Sequence, residues 1–132
     1  MNDIALAIVS RNGKYLLLKR SSTDESNPDR WALPGGHCES GESIVEGLIR
    51  ELKEETNLET IPLYCKMIKQ TKYENKTLHF FWVHATKGNV ALLGGEHSCF
   101  VWCPAQAVSS YNPLPYITDL ITSIELEKTD GL

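Results

Sequence analysis

The chain has 132 residues, 42% of them apolar, which suits one domain over 1–132 with its own core and calls for no second domain. A formal net charge of −4 argues against nucleic-acid binding through a basic surface, which needs clustered lysine and arginine. The apolar opening NDIALAIVS is too short for a membrane span and lacks the basic start of a secretory signal, so the expectation is a soluble, cytoplasmic protein with no membrane partner.

Residues 3–10 and 14–20 read as two strands around Asn12-Gly13, a hairpin turn signal. The polar stretch SSTDESNPD cannot pack a core and reads as an exposed loop. It leads into RWALPGG, where Pro34 biases Leu33 away from helix, and where Gly35 and Gly36 let the main chain turn sharply and approach a ligand closely. From Ser43 the pattern becomes helical, with Ile44, Val45, Leu48, Ile49 and Leu52 on one side. Ser43 and Glu46 have the spacing of a capping box, and Asn57 is a stop, because asparagine tolerates the left-handed conformation that closes many helices.

Beyond the helix, IPLYCKMIKQTKY and KTLHFFWVHATK read as two strands around Glu74-Asn75, and CFVWCP as a further strand ended by Pro104. The tail PLPYITDLITSIELEK repeats Ile117, Leu120, Ile121, Ile124 and Leu126 at the spacing of an amphipathic helix. The fold class is therefore α/β, a mixed sheet between helices. Cys99 and Cys103 are four residues apart in a strand, about 13 Å, too far for a disulfide. Cys38 and Cys65 form no CxxC pair with any other cysteine, so buried or half-buried thiols are expected ahead of a zinc site with His37 or His97.

The central helix carries the chemistry. At 100° per residue, Glu51, Glu54 and Glu55 fall within an arc of roughly 100° that flanks the apolar face. Gly47 lies on the same side one turn earlier; glycine there costs about 1 kcal/mol relative to alanine, which is consistent with room kept for an ion or a phosphate. The bland alternative is a solvated ladder of Glu46, Arg50 and Glu54 with Lys53 nearby, worth a few tenths of a kcal/mol for each pair. It does not account for Glu51 and Glu55, like charges one turn apart that repel unless a cation sits between them. Oxygen ligands of this kind suit Mg²⁺ or Mn²⁺ better than zinc.

The run Gly36, Glu42, Arg50, Glu51, Leu52, Glu54, Glu55, Asn57, Leu58 resembles the box of the Nudix hydrolases, which cleave nucleoside diphosphates linked to another moiety; only Asn57 departs from it, standing where glycine is usual. The preceding LLLKR and RWALPGG also resemble that family's approach to its box. The resemblance implies a Nudix-type α/β/α sandwich with a central mixed β-sheet. It implies that Glu51, Glu54 and Glu55 ligate divalent ions, with the carbonyl of Gly35 adding an oxygen, and that Arg50 pairs with a carboxylate such as Glu42 to hold the cluster. Glu51, in the middle of the acidic arc, is the preferred base or water-positioning group. Glu96 is a further metal ligand expected from the loop GGEHSCFVW, with His97 its weaker companion. His79 and His84, on opposite faces of a strand, are expected to be structural.

Arg20 and Arg30 flank the loop before the box and are candidates for phosphate contact, with Gly36 a third substrate-binding position. Trp31, Tyr73, Phe80, Phe81, Trp82 and Trp102 offer faces for a base, at least half of them expected in the core. The compact chain looks more like family members acting on nucleoside triphosphates, with a nucleotide-sugar hydrolase as one alternative and a non-catalytic nucleotide sensor as another. The expected partner is a nucleotide; a homodimer is left open.

Overall fold

The computed structural model describes residues 2–24 and 27–130. Strands β1 (Asp3–Arg11) and β2 (Lys14–Arg20) form the expected hairpin, paired at Ser10 with Tyr15 and Arg11 with Lys14. Its turn holds Asn12 at φ 52° and Gly13 at φ 77°, the left-handed pair that matches strand twist in a tight hairpin. Two short strands follow, β3 (Trp31–Ala32) against β2 and β4 (Gly35–His37) against β1, and the helix α1 (Ile44–Thr56) begins directly after the box loop. Strands β5 (Cys65–Tyr73) and β6 (Lys76–Val83) make the second hairpin, with Glu74 at φ 56° in its turn. β7 (His97–Pro104) and the helix α2 (Ile117–Asp130) complete the chain.

The sheet is mixed because β6 runs parallel to β1, pairing Asp3 with Thr77 through Val9 with Val83, while the other pairings are antiparallel. Side chains alternate between its faces, so β1 and β2 feed two cores at once. Ile8, Tyr15 and Leu17 pack with Phe80 and with Ile117, Leu120, Ile121 and Ile124 of α2. Ala7, Val9, Leu16 and Leu18 pack with Leu48 and Leu52 of α1 on the other side. Burial on both faces explains why these strands read as nearly unbroken apolar runs, and the result is the α/β/α sandwich.

Three details differ from the sequence reading. Pro62–Tyr64 forms a short 3-10 turn and the strand starts only at Cys65, because proline has no N–H to give a ladder. β7 begins earlier than CFVWCP, at His97. Leu126 lies on the outer side of α2, 62% exposed, outside the apolar stripe. The four cysteines are free thiols. Among the described residues no helix is long and apolar enough to cross a membrane.

Candidate active site

The box helix starts and stops as its local chemistry requires. The Ser43 hydroxyl accepts from the Glu46 N–H at 3.2 Å and Glu46 accepts from the Ser43 N–H at 2.7 Å, closing the capping box. Asn57 closes the other end at φ 69°, its N–H on the Lys53 carbonyl. Glu46 is thus engaged by the cap and does not pair with Arg50, which corrects the expected Glu46–Arg50–Glu54 ladder; only its Arg50–Glu54 rung forms.

Arg50 turns instead toward the loop before the helix. Its Nε and Nη2 donate to the two carboxylate oxygens of Glu42 at 3.1 and 2.7 Å, and Nη2 also donates to the His37 carbonyl at 3.0 Å. Its Nη1 donates to Glu51 Oε1 and Glu54 Oε2, both at 3.1 Å. A planar guanidinium can serve this many acceptors in fixed directions, so one residue ties the loop to two carboxylates of the helix. These bonds hold the Glu42 carboxyl below the usual carboxylate range. Gly47 belongs to the same junction: a Cβ there would stand 2.8 Å from the Cys38 sulfur and 3.0 Å from Glu42 Oε1. The space beside Gly47 is therefore filled by the docked loop, which corrects the expectation that it is kept for an ion or a phosphate.

The three glutamates differ in depth. Glu55 is only 8% exposed and accepts the Gly35 N–H on Oε1 at 2.7 Å. Burial pushes its pKa up to about 8, opposed by the Gly35 bond and reinforced by Glu96 and Glu51. Glu51 is partly buried, which also raises its carboxyl, with Arg50 opposing. Its carboxylate lies so close to Gly36 that a Cβ on that residue would come within 2.8 Å of it. Glu54 stands at the exposed rim, its side chain 56% accessible.

A cleft of about 540 Å³ is bordered by Glu55 together with Gly35, Gly36, Arg20, Glu96 and His97, while Glu51 and Glu54 are not among its lining residues. Glu96 stands just before β7 and His97 is its first residue, where the register against β2 shifts between Lys19 and Arg20. One ligand atom from each of Glu55, Glu96 and His97 can be chosen so that all lie within 4.8 Å of one another. Burial pushes the His97 imidazole below its ordinary pKa, and its Nδ1 is shielded from solvent without a hydrogen-bond partner.

Arg20 borders the cleft and pairs with Asp24 at 2.5 Å. Arg30 does not reach the cleft: its Nε donates to the Asn112 carbonyl at 2.9 Å and its Nη2 to the Pro113 carbonyl, tying two surface segments together. This corrects its expected role in phosphate contact. Phe80 and Phe81 are core residues, Trp31 packs edge-on against Tyr111, and Trp102 lies under the Arg11 guanidinium. His79 is buried against Asp3 and Gln70 while His84 packs on Tyr64 and Trp82, both structural as expected. Tyr116 lies near the cleft without lining it. It sits at φ 71°, edge-on to Phe80 at 5.1 Å, beside an apolar recess of about 170 Å³ next to the cleft. A tyrosine one residue before a helix carries no sequence signal of such a place.

A family model described as NUDIX domain matches residues 1–120. The chain is 29% identical over 115 residues to a CTP pyrophosphohydrolase of Escherichia coli (strain K12), covering 87% of this chain and 84% of that one. It is 46% identical over 52 residues to the nucleoside triphosphatase NudI of Enterobacter sp. (strain 638), covering 39% of this chain and 37% of that one. Among solved structures it resembles the E. coli ORF135 protein, with TM-score 0.75 and 26% identity over 97% of this chain and 91% of that one. It also resembles the MutT protein from Methanosarcina mazei Go1, with TM-score 0.77 and 26% identity over 96% and 94% of the two chains.

Proposed function

The chain belongs to the Nudix hydrolase family, and from that premise we propose that it hydrolyses a nucleoside triphosphate to the monophosphate and pyrophosphate with Mg²⁺, Mn²⁺ serving in its place. The ligands in this reading are Glu51, Glu54, Glu55, Glu96 and the carbonyl of Gly35. The observation that carries it is Glu55, a buried carboxylate set against Glu96 and Glu51 and pushed up to about 8 by that setting. A site of this kind disfavours its own charge and suits a divalent cation held by oxygen donors. The donors present therefore fit such an ion. When bound, it supplies charge neutralisation at the phosphate oxygens and lowers the pKa of a water.

The residues divide the remaining work. Glu51 is the group that takes the proton of the attacking water: burial raises its carboxyl above the ordinary value, with Arg50 opposing, and a raised carboxylate is the stronger base. Arg50 holds Glu51 and Glu54 in place through one Nη1 and so acts as a positioning residue. Arg20, at the edge of the cleft, offers a cation to the phosphate chain. The triphosphate is favoured over a nucleotide sugar by the similarity, along most of both chains, to a protein named CTP pyrophosphohydrolase. The retained carboxylates speak against a sensor that only binds. The negative net charge and the small cleft favour a free nucleotide over nucleic acid.

A nucleotide panel with Mg²⁺ tests the reading: pyrophosphate and a monophosphate are the expected products, and hydrolysis in ¹⁸O-water reports which phosphorus is attacked. Glu51→Gln and Glu54→Gln each lower turnover by roughly 10²-fold or more with the fold retained. Turnover indifferent to chelator and to both substitutions would refute it.

A further inference from the structure

The ligand set above consists of oxygens, yet an imidazole stands among them. His97 opens β7 at the point where the pairing with β2 shifts register, and Arg20 is its strand partner there. Both residues border the cleft, so this end of the β2–β7 pair presents its side chains to the site. A ring nitrogen of His97 and carboxylate oxygens of Glu55 and Glu96 lie within 4.8 Å of one another. Ligand atoms sharing an ion at about 2.1 Å stand about 3.0 Å apart when cis and about 4.2 Å when trans, so donors grouped this closely need only side-chain adjustment to share one centre.

Two further observations bear on the ring. Nδ1 is shielded from solvent and has no hydrogen-bond partner, and a buried polar atom left unsatisfied loses the hydrogen bond that water would have given it. Buried polar atoms in folded proteins are nearly all paired, so an unpaired ring nitrogen on a residue that borders the cleft calls for a partner from outside the chain, a water or an ion. The contrast with His79 is direct, since that imidazole is held by Asp3 and Gln70. His97 has been left free of such bonds beside two carboxylates that come from different elements, α1 and the segment before β7.

We propose that Glu55, Glu96 and His97 form a mixed carboxylate–imidazole site in which His97 supplies a nitrogen ligand, so that Mn²⁺, the ion that can take the place of Mg²⁺, is held more tightly than the carboxylates alone would hold it. Mg²⁺ favours oxygen donors in near-ideal octahedral geometry, whereas first-row transition ions accept imidazole readily. The nitrogen therefore sets selectivity between ions that the glutamates alone would hold less discriminately. The proposal rests on reading the cleft as the centre of a metal-dependent hydrolase, and its test separates the two.

Mn²⁺ is titrated into the purified chain without nucleotide, following the free ion by electron paramagnetic resonance, and the bound ion is examined by electron spin echo envelope modulation for coupling to a ¹⁴N nucleus. The expected result is a bound Mn²⁺ with imidazole ¹⁴N coupling that disappears in His97→Asn and persists in His37→Asn, a control at another histidine bordering the cleft. His97→Asn is also expected to lower Mn²⁺ affinity on the order of tenfold, with Mg²⁺ affinity, read by competition, changed far less. Bound Mn²⁺ lacking ¹⁴N coupling, or coupling that survives His97→Asn in a chain whose circular dichroism is unchanged, overturns the nitrogen ligand and leaves the hydrolase reading intact. Failure to bind either ion, with nucleotide turnover indifferent to chelator, overturns both.

Discussion

Glu55→Gln separates what the carboxylate cluster costs the fold from what it gives the reaction. Glu55 is 8% exposed, and its pKa of about 8 stands well above the ordinary 4.5 that it regains on unfolding. A folded pKa above the unfolded one means that the protonated form is the one the fold favours. The stability this group contributes is complete below about 4.5 and is lost as pH rises through about 8. Glutamine keeps the shape, can accept the Gly35 N–H and donate to Glu96, and has no proton to lose. At 1.36 kcal/mol per pH unit the full span is roughly 5 kcal/mol, and charge shared with Glu96 together with relaxation at the cleft wall brings it to ~2–4 kcal/mol. The assay is urea unfolding in chelator, followed by tryptophan fluorescence at pH 5 and pH 8. The two chains are expected to agree within about 1 kcal/mol at pH 5, and the glutamine variant to be the more stable at pH 8 by that ~2–4 kcal/mol. Saturating Mn²⁺ then raises the midpoint of the parent and not of the variant. Equal stability of the two chains at both pH values would refute the reasoning, because it would mean that Glu55 ionises in the fold as easily as in water.

Arg50→Lys keeps the charge and removes the fork; a single ammonium cannot serve both oxygens of Glu42 and also reach Glu51 and Glu54, so kcat is expected to fall about 10–100-fold with the urea midpoint near that of the parent. Gly36→Ala places a Cβ 2.8 Å from the Glu51 carboxylate. The flexible end of Glu51 swings aside at under about 1 kcal/mol of stability, but a misplaced base lowers turnover on the order of 10²-fold, which steady-state kinetics with thermal melts will separate. Tyr15→Phe removes the hydroxyl that donates to Glu125 and accepts from Lys128 at 3.1 Å, expected to cost about 1 kcal/mol near neutral pH. The Tyr15 bond holds the Glu125 carboxyl below its ordinary 4.5, so this difference is present above that value and shrinks as acid titrates the lowered group; unfolding curves at pH 7 and pH 3 measure it.

What could be read from the sequence is what depends on neighbours within a few residues. The Asn12-Gly13 and Glu74-Asn75 turns, the Ser43–Glu46 box and the Asn57 stop are local, and each forms. The parallel pairing of β1 with β6 joins segments some seventy residues apart and left no local mark. The same limit explains the errors at the site. Glu46 and Arg50 have the spacing of a helical pair, but Glu46 is taken by the free N–H of Ser43, and Arg50 pairs with Glu42 of the loop, the partner that the family resemblance implied and helical spacing does not. Gly47 looked like space for a ligand because its neighbours Cys38 and Glu42 come from that same loop. Arg20 and Arg30 are equivalent in sequence; one ends a strand at the cleft, and the other is captured by carbonyls eighty-two and eighty-three residues further on.

Helical spacing placed Glu51, Glu54 and Glu55 in one arc, but spacing cannot rank them by depth. The ranking comes from β4, whose backbone passes over the Glu55 end of α1 so closely that the N–H of Gly35 becomes its partner. Each of the three then has one carboxylate oxygen fixed by a protein donor: Glu55 Oε1 by Gly35, and Glu51 Oε1 and Glu54 Oε2 by the same Nη1 of Arg50. Fixing one oxygen limits rotation of the carboxylate while leaving the other oxygen available as a ligand or base, which is how a site is organised before its ion arrives. The donors differ in a way that follows the roles proposed. A backbone amide is neutral and leaves the buried Glu55 with its raised pKa, so this position gains most from a cation. At Glu51 a guanidinium stands in the amide's place and opposes the rise that burial gives the carboxyl, and the same Nη1 orients Glu54 at the exposed rim.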